Sequence, residues 1–229
     1  MSRHSPVRRL VVLLAAAIAF ASTAPGAAAE TPDPILLVHG FTGEPSSFDT
    51  MVAHFTAAGR TAVAIDLPSE DNIVNARAIR DFIDARRASD PAWGRVDIVA
   101  HSMGGLSSRY YLKALNGRGR VDSYVSLGTP HYGAWAACLL PQSYGGQMCP
   151  TSTFLKNLNK GDDTPGAVDY GTLYSTDDAT VSNSSSRLDG GACFIQVSGV
   201  SHSGLLTDQG VFDLVIPAID GSCPGTFKA

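Results

Sequence analysis

Charged residues are scarce in this sequence of 229 residues, because Asp, Glu, Lys and Arg together make up only 17% of it. Globular proteins usually contain about a quarter, so long disordered charged tails are not expected. Beyond the first residues, no apolar run approaches the roughly 20 residues that a membrane-spanning helix needs. Apolar residues still make up 44% of the chain, which is enough for a sizeable core. The length favours one domain.

The first 29 residues have a pattern of their own. Three arginines precede an apolar run, Leu10–Phe20, and small residues then lead to Ala29. This order is typical of a secretory signal peptide that is cleaved after Ala29. The run is too short for a membrane anchor, which is the alternative. We therefore expect residues 1–29 to be a signal peptide and residues 30–229 to be one soluble, secreted, extracellular domain without a transmembrane segment.

The mature chain is predicted to be acidic. Removing residues 1–29 leaves 14 basic residues against 21 acidic ones, so the formal charge moves from −4 to −7. An acidic surface repels phosphate backbones, which makes nucleic acid a poor partner.

Cysteine is also rare, with four residues in the whole chain. Export permits disulfides, and four cysteines allow three pairings. We favour Cys138–Cys149, which closes a turn-rich loop, and Cys193–Cys223, which ties the tail to a strand-like segment. Zinc is the alternative, but no CxxC pair or histidine cluster accompanies these residues, so no metal site is expected.

Apolar runs alternate with amphipathic stretches along the chain. The runs PILLVHG, TAVAID, RVDIVA, VDSYVSLG and GACFIQVSG are typical of buried strands, and NARAIRDFIDARRA between two of them is typical of a helix. This alternation predicts an α/β fold with a mostly parallel sheet covered by helices on both faces. The stretch GLLTDQGVFDLVIPAI predicts a helix before Pro217. Gly128–Thr172 is irregular, which is typical of either a functional segment or a decorated surface loop.

One strand-to-helix junction has an unusual composition. Ser102 lies in the sequence AHSMG, between the strand pattern VDIVA and the helix pattern GLSSRYYL. This matches the G-x-S-x-G nucleophile elbow with alanine in its first position. The sharp turn requires tiny residues on both sides of the serine, and Ala100 and Gly104 satisfy this, while Gly105 lets the helix pack on the strand. An ordinary βα turn is the alternative.

A nucleophilic serine needs a base, and the chain has six histidines. His202 follows the last clear strand and leaves room for a carboxylate-bearing strand between itself and Ser102, in the order Ser–Asp–His of α/β-hydrolases. His131 also follows a strand and is the other candidate. His39 and His101 adjoin the two motif loops and are expected to support those loops.

The carboxylate that orients the histidine is expected between Ser102 and His202. The stretch LYSTDDATV offers Asp177 and Asp178, and spacing alone does not separate them. Asp189 is a rival, although its surroundings are typical of a turn.

An oxyanion hole would complete the site. One donor is the backbone N–H of Met103, the residue after the nucleophile. The other is expected from the loop in VHGFTG, where the N–H of Phe41 is the natural choice and the flanking glycines allow close approach. The alternative is a glycine-rich turn without a catalytic part.

These motifs resemble those of a known family. PILLVHGFTG, VDIVAHSMGGLSSRYYL, LYSTDDATV and IQVSGVSHSGLL are similar to the small secreted bacterial triacylglycerol lipases of the class 2, lidless type, over about Pro34–Leu206. The resemblance implies a minimal α/β-hydrolase fold. It also implies Ser102 as nucleophile, His202 as base, and Phe41 and Met103 as oxyanion donors.

The same resemblance selects the acid. The Tyr-Ser-x-x-Asp-x-x-Val pattern of the family matches Tyr174 to Val181 and favours Asp178 over Asp177. The chain departs from the family in its cysteines and in the long segment Gly128–Thr172, which we expect to rim or partly cover the site.

The resulting hypothesis is a secreted lipase that hydrolyses acylglycerols at a lipid–water interface through an acyl-enzyme, as a monomer and without metal or cofactor. A short-chain esterase, a polyesterase and a secreted acyltransferase remain open as alternatives. A non-catalytic binding module is disfavoured, because every catalytic position is filled.

Overall fold

The computed structural model describes Met1 and residues 32–227. The predicted signal peptide, apart from Met1, lies outside the described residues. None of the helices in the described part of the chain is long and apolar enough to cross a membrane.

The elements alternate between strands and helices for most of the chain. In order they are β1 (Ile35–Val38), α1 (Asp49–Ala57), β2 (Ala62–Ile65), α2 (Asn72–Ser89), β3 (Val96–His101), α3 (Met103–Ala114), β4 (Val121–Leu127), α4 (Thr153–Leu158), β5 (Asp169–Ser175), α5 (Asn183–Ser186), β6 (Cys193–Val197), α6 (Gln209–Ile219) and β7 (Thr226–Phe227).

The strands form one sheet in the order β2-β1-β3-β4-β5-β6-β7. The first six strands are parallel, and β7 pairs antiparallel with β6. Parallel strands all end at the same edge of a sheet, so the loops after β1, β3, β5 and β6 meet there. The predicted mostly parallel sheet is therefore confirmed.

Two apolar layers cover the sheet. Leu36 and Val38 of β1 pack on the α2–α3 side, whereas Ile35 and Leu37 pack on the α1–α6 side. All four side chains are fully buried. Because successive side chains of a strand point to opposite faces, a strand that is buried on both faces has to be apolar throughout. This explains the continuous apolar runs in the sequence.

The C-terminal part differs from the sequence prediction. Helix α6 begins only after Asp208, whose side chain accepts a hydrogen bond from the Val211 N–H at 3.0 Å and caps the helix. The helix also continues through Pro217 to Ile219. The proline lies in the last turn, where its missing N–H affects only the carbonyl of the exposed Asp213. Strand β7 was not predicted.

The segment between β4 and β5, residues 128–168, is called here the β4–β5 segment. It contains α4, whose Phe154, Leu155 and Leu158 form an apolar cluster with Met103 and Leu106 of α3. The fully buried Arg109 of α3 ties the segment down further, because its guanidinium donates to Asn159 Oδ1 at 2.9 Å and to Asp163 Oδ1 at 2.8 Å. The segment is thus packed onto the domain, although no regular pattern in the sequence predicted how.

Both predicted disulfides are present. Cys138–Cys149 closes a loop within the β4–β5 segment, and Cys193–Cys223 joins β6 to the chain before β7. Within the described residues no cysteine is free.

Replacing both Cys193 and Cys223 by serine should lower the free energy of unfolding by about 3–4 kcal/mol, because the bridge closes a long loop in the unfolded chain. Its two cysteines are 30 residues apart. Guanidinium unfolding of both proteins measures the difference. A loss below about 1 kcal/mol would show that this bridge contributes little.

Candidate active site

Ser102 occupies a strained turn between β3 and α3. Its backbone has φ 52° and ψ −128°, a conformation that a residue with a side chain rarely adopts. The Ser102 N–H donates to Leu127 O of the neighbouring strand β4 at 2.9 Å, and Ser102 O accepts from Gly105 N at 3.1 Å. These bonds hold the serine at the sheet edge, at the N-terminus of α3.

The small neighbours of Ser102 are needed for space. A Cβ on Gly104 would overlap the backbone carbonyl of His39, and one on Gly105 would overlap the side chain of Thr129. A Cβ on Gly40 would lie 2.7 Å from the Cβ of Ser102 itself. The loop after β1 therefore approaches the elbow closely. The sequence predicted small residues here because of the sharp turn, and the structure adds the contacts with His39 and Thr129 as a second reason.

His202 and Asp178 are joined directly. His202 Nδ1 lies 2.6 Å from Asp178 Oδ2. A carboxylate accepts, so Nδ1 carries a proton, and in the neutral ring Nε2 is the nitrogen that can accept one. Both residues lie against Gly128, where a Cβ would come within 3.0 Å of Asp178 Oδ2 and 3.1 Å of His202 Nδ1. Because Gly128 also has φ 57°, only glycine fits there without strain.

The Asp178 carboxylate is held in its charged form. Burial by itself raises its pKa, but hydrogen bonds from His202 and from the backbone outweigh burial and lower the pKa of Asp178 below its ordinary value. The backbone bonds come from the N–H groups of Thr180 at 2.8 Å and Val181 at 2.9 Å, both to Oδ1. The two carboxylate oxygens thus have separate partners.

The other candidate acids lie elsewhere. Asp177 Oδ2 accepts from the Gly199 N–H at 2.6 Å and from Thr176 Oγ1 at 2.9 Å, so it joins the loops after β5 and β6. Asp189 is exposed, and its backbone N–H donates to the Tyr132 hydroxyl. Of the three acids, Asp178 is the one hydrogen-bonded to His202.

His101 has a closer link to His202 than the sequence indicated. Its Nε2 lies 3.0 Å from the His202 carbonyl, and the two rings are 4.6 Å apart. Since a carbonyl only accepts, Nε2 of His101 donates. Burial, followed by the neighbouring His202, lowers the pKa of His101 to about 3. This neutral ring therefore connects the serine turn to the histidine loop.

His39 and His131 have structural partners. His39 Nε2 accepts from the Leu67 N–H at 3.2 Å, and its Nδ1 donates to Gly40 O at 3.1 Å, so it braces the loop after β1 as expected. His131 is fully buried, with Nε2 3.0 Å from Ser126 Oγ. Burial lowers the pKa of His131 well below its usual range. It does not line the cavity described next.

A cavity of about 500 Å³ opens at the sheet edge, and both Ser102 and His202 line it. The β4–β5 segment supplies one wall through Pro130, Ala134, Ala136, Ala137, Leu140 and Met148. Val181 and Leu206 add further apolar surface. The site is therefore partly walled by the β4–β5 segment and largely apolar, with a few polar groups beside Ser102.

The two predicted oxyanion donors belong to the loop after β1 and to the start of α3. Phe41 lines the cavity, and Met103 is the first residue of α3. Within residues 32–227, neither backbone N–H donates a hydrogen bond, whereas the neighbouring Thr42 and Gly43 N–H groups do. Neither N–H is therefore committed to a partner in this part of the chain; Phe41 lines the cavity, whereas Met103 is fully buried and does not itself line the cavity.

No hydrogen bond joins Ser102 Oγ to His202 in the described part of the chain. Such bonds are often long in proteins without substrate and shorten when it binds. No group of three or more His, Cys, Asp or Glu side chains among residues 32–227 is arranged to hold a metal ion.

Solved structures with the same arrangement of elements come from several organisms. Aspergillus fumigatus lipase B matches with a TM-score of 0.71 and 21% identity over 85% of this chain. The mature form of Bacillus licheniformis lipase BlEst2 matches with a TM-score of 0.70 and 20% identity over 82% of this chain and 92% of its own. The chain has the α/β-hydrolase fold. A sequence profile described as the alpha/beta hydrolase family also matches residues 35–147.

A further structural relative is phospholipase PlaB from Legionella pneumophila, with a TM-score of 0.70 and 13% identity over 84% of this chain. The chain spans about half of the Aspergillus lipase, 54%, and 61% of the Legionella phospholipase. At these identities the comparisons establish the α/β-hydrolase fold and leave the substrate open.

Proposed function

We propose that this protein is a serine carboxylester hydrolase, most specifically a lipase of the class 2 type that acts on acylglycerols. One observation carries the proposal. Ser102, on its strained turn, lines the same apolar cavity as His202, whose Nδ1 is held by Asp178 at 2.6 Å. These three side chains come from the loops after β3, β6 and β5, and together they form the constellation of acyl transfer.

The reaction has two halves. His202 Nε2 accepts the proton of Ser102 as Oγ attacks the ester carbonyl, and the ester C–O bond then breaks as His202 returns the proton to the leaving alcohol. Water then gives a proton to His202 as it attacks the acyl-enzyme, and the bond between the acyl carbon and Ser102 Oγ breaks. His202 returns the proton to Oγ, and the fatty acid leaves. Asp178 keeps the proton of the ring on Nδ1 throughout.

The negative charge that forms on the carbonyl oxygen needs donors. The N–H groups of Phe41, in the loop after β1, and of Met103, the first residue of α3, have no partner among the described residues. The N-terminus of α3 adds its positive end. In this assignment Ser102 is the nucleophile, His202 is the general base and general acid, and Asp178 is the carboxylate that orients His202.

Labelling with a p-nitrophenyl alkylphosphonate tests this assignment. The phosphonate should modify Ser102, and peptide mass spectrometry should find the added mass on the peptide that contains it. Modification at another serine, together with loss of activity, would contradict the proposal.

Exposed apolar side chains at the cavity mouth favour a lipid surface over a soluble ester. Trp135 is 72% exposed and Leu139 is 91% exposed, and they flank Ala136 and Ala137, which line the cavity. Tyr144 is half exposed and packs edge-on against Phe41, with the two ring centroids 5.2 Å apart. We call Trp135, Leu139 and Tyr144 the mouth patch. Exposed apolar patches that are continuous with a binding cavity are typical of interaction sites.

Replacing Trp135 and Leu139 together by serine should lower the rate on emulsified tributyrin about tenfold or more, because less apolar area reaches the lipid surface. The kcat/KM for dissolved p-nitrophenyl acetate should change less than about twofold, because Ser102 and its partners are untouched. A pH-stat and an absorbance assay measure the two rates.

Phe227→Ser is the matched control, because Phe227 is 70% exposed and lies on β7, away from the cavity. It should leave both rates unchanged. An equal loss on both substrates in the double variant would contradict a role for the mouth patch in binding an interface.

The rate as a function of acyl chain length, below and above the solubility limit, separates a lipase from an esterase. A steep fall beyond short chains would favour the esterase. Transfer of the acyl group to an added alcohol in preference to water would favour an acyltransferase. We also propose that the enzyme acts outside the cytoplasm, since disulfides persist in oxidising compartments.

A further inference from the structure

The loop that carries Phe41 has a strained residue. Gly40 to Gly43 form a turn in which the Gly43 N–H donates to Gly40 O at 3.1 Å. Thr42 is the third residue of this turn and has φ 52°. That position favours glycine or asparagine, and a β-branched residue there is a genuine outlier. Something outside the turn has to hold Thr42 in this conformation.

Glu70 supplies that contact. Its Oε1 accepts a hydrogen bond from the Thr42 N–H at 2.9 Å, across 28 residues of sequence. Hydrogen bonds to a carboxylate are shorter and stronger than those to a neutral acceptor. The other oxygen, Oε2, is buried and has no hydrogen-bond partner among the described residues. Glu70 therefore makes its side-chain bond to the loop of Phe41.

The backbone around Glu70 is itself fixed. Glu70 O accepts from the Gly145 N–H at 3.1 Å, in the β4–β5 segment. On one side, Ser69 O accepts from Asn75 Nδ2 at 2.7 Å. On the other, Asp71 caps α2 through the N–H groups of Ile73 and Val74. The carboxylate is thus presented from a stretch that is anchored on both sides.

We propose that Glu70 is a positioning residue for the oxyanion hole. By holding Thr42 in its left-handed conformation, it fixes the turn so that the Phe41 N–H faces the cavity beside Ser102. Glu70 does not touch the reacting atoms. The role requires an acceptor for one hydrogen bond, and a glutamine amide oxygen also accepts one, more weakly than the carboxylate. The inference rests on the proposed function, in which Phe41 stabilises the transition state.

The test compares Glu70→Ala, Glu70→Gln and the wild type on dissolved p-nitrophenyl butyrate. Glu70→Ala should lower kcat by at least about tenfold, somewhat less than removal of an oxyanion donor outright. KM should stay within about twofold, since the transition state is affected and not substrate binding. Glu70→Gln should restore kcat to within about threefold of the wild type, because it keeps the acceptor.

Asp66→Ala is the matched control, because Asp66 is an exposed carboxylate that precedes Glu70 in the same loop after β2. It should leave kcat unchanged. Active-site titration with the phosphonate corrects each kcat for the fraction of folded, reactive enzyme.

Three outcomes would overturn the inference: an unchanged kcat in Glu70→Ala, an equal fall in Glu70→Gln, or a fall that disappears after the titration correction. Failure of the proposed function is separate, since it would appear as full activity in Ser102→Ala whatever the Glu70 variants do.

Discussion

Ser102→Ala should lower kcat for p-nitrophenyl butyrate by at least about ten-thousandfold, which corresponds to about 5.5 kcal/mol of transition-state stabilisation. The variant keeps the cavity and the two backbone N–H groups, so some acceleration over water remains. What it loses is the covalent route, because His202 has no hydroxyl to deprotonate. An absorbance assay measures the rate.

The fold of this variant should be intact. The bond from residue 102 N–H to Leu127 O involves only the backbone and survives the change. The Tm should therefore shift by less than about 2 °C. The control is Ser46→Ala, because Ser46 is exposed and precedes Ser47, which lines the cavity. This variant should keep full activity. Near wild-type hydrolysis by Ser102→Ala would show that the nucleophile is another residue.

Asp178→Asn should lower kcat by about a hundredfold to ten-thousandfold. Asparagine can turn its NH₂ group toward His202 Nδ1, which then accepts and leaves the proton of the ring on Nε2. A protonated Nε2 does not take the serine proton, so the first half of the reaction slows. The phosphonate should also react more slowly with this variant.

The adjacent residue provides the matched control for Asp178. Asp177→Asn removes the same charge one position away, where the carboxylate holds Gly199 N and Thr176 Oγ1 rather than His202. It should change kcat by less than about threefold. If Asp177→Asn is the more damaging of the two, the assignment of the acid is wrong.

The sheet and the elbow were predictable because local rules decide them. Continuous apolar strands, small residues around Ser102 and the chain order of Ser102, Asp178 and His202 are visible in the sequence. The bond between His202 and Asp178 follows from that order, because parallel strands deliver their ends to one edge. The choice between Asp177 and Asp178 needed a family pattern, since adjacent residues point in different directions.

The rest depends on contacts that have no local signal. Two hydrogen bonds hold the β4–β5 segment. Arg109 donates to Asp163, 54 residues away in sequence, and the Gly145 N–H donates to Glu70 O, 75 residues away. No periodicity predicts such pairs. The two-residue strand β7 is too short for a pattern, and the start of α6 depended on the cap by Asp208. The backbone strain at Thr42 likewise requires coordinates.

Strand β7 also bears on the behaviour of the protein at high concentration. An open, apolar edge strand is a template on which other chains add strands and aggregate. Cys193 and Phe194 of β6 are instead paired with β7, and Gly225 lets the backbone approach so closely that a Cβ would overlap Phe194 O. The Cys193–Cys223 bridge keeps this short cover in place. We therefore expect the bridge to limit association through β6 as well as to stabilise the fold, because the edge that remains on this side is only two residues long.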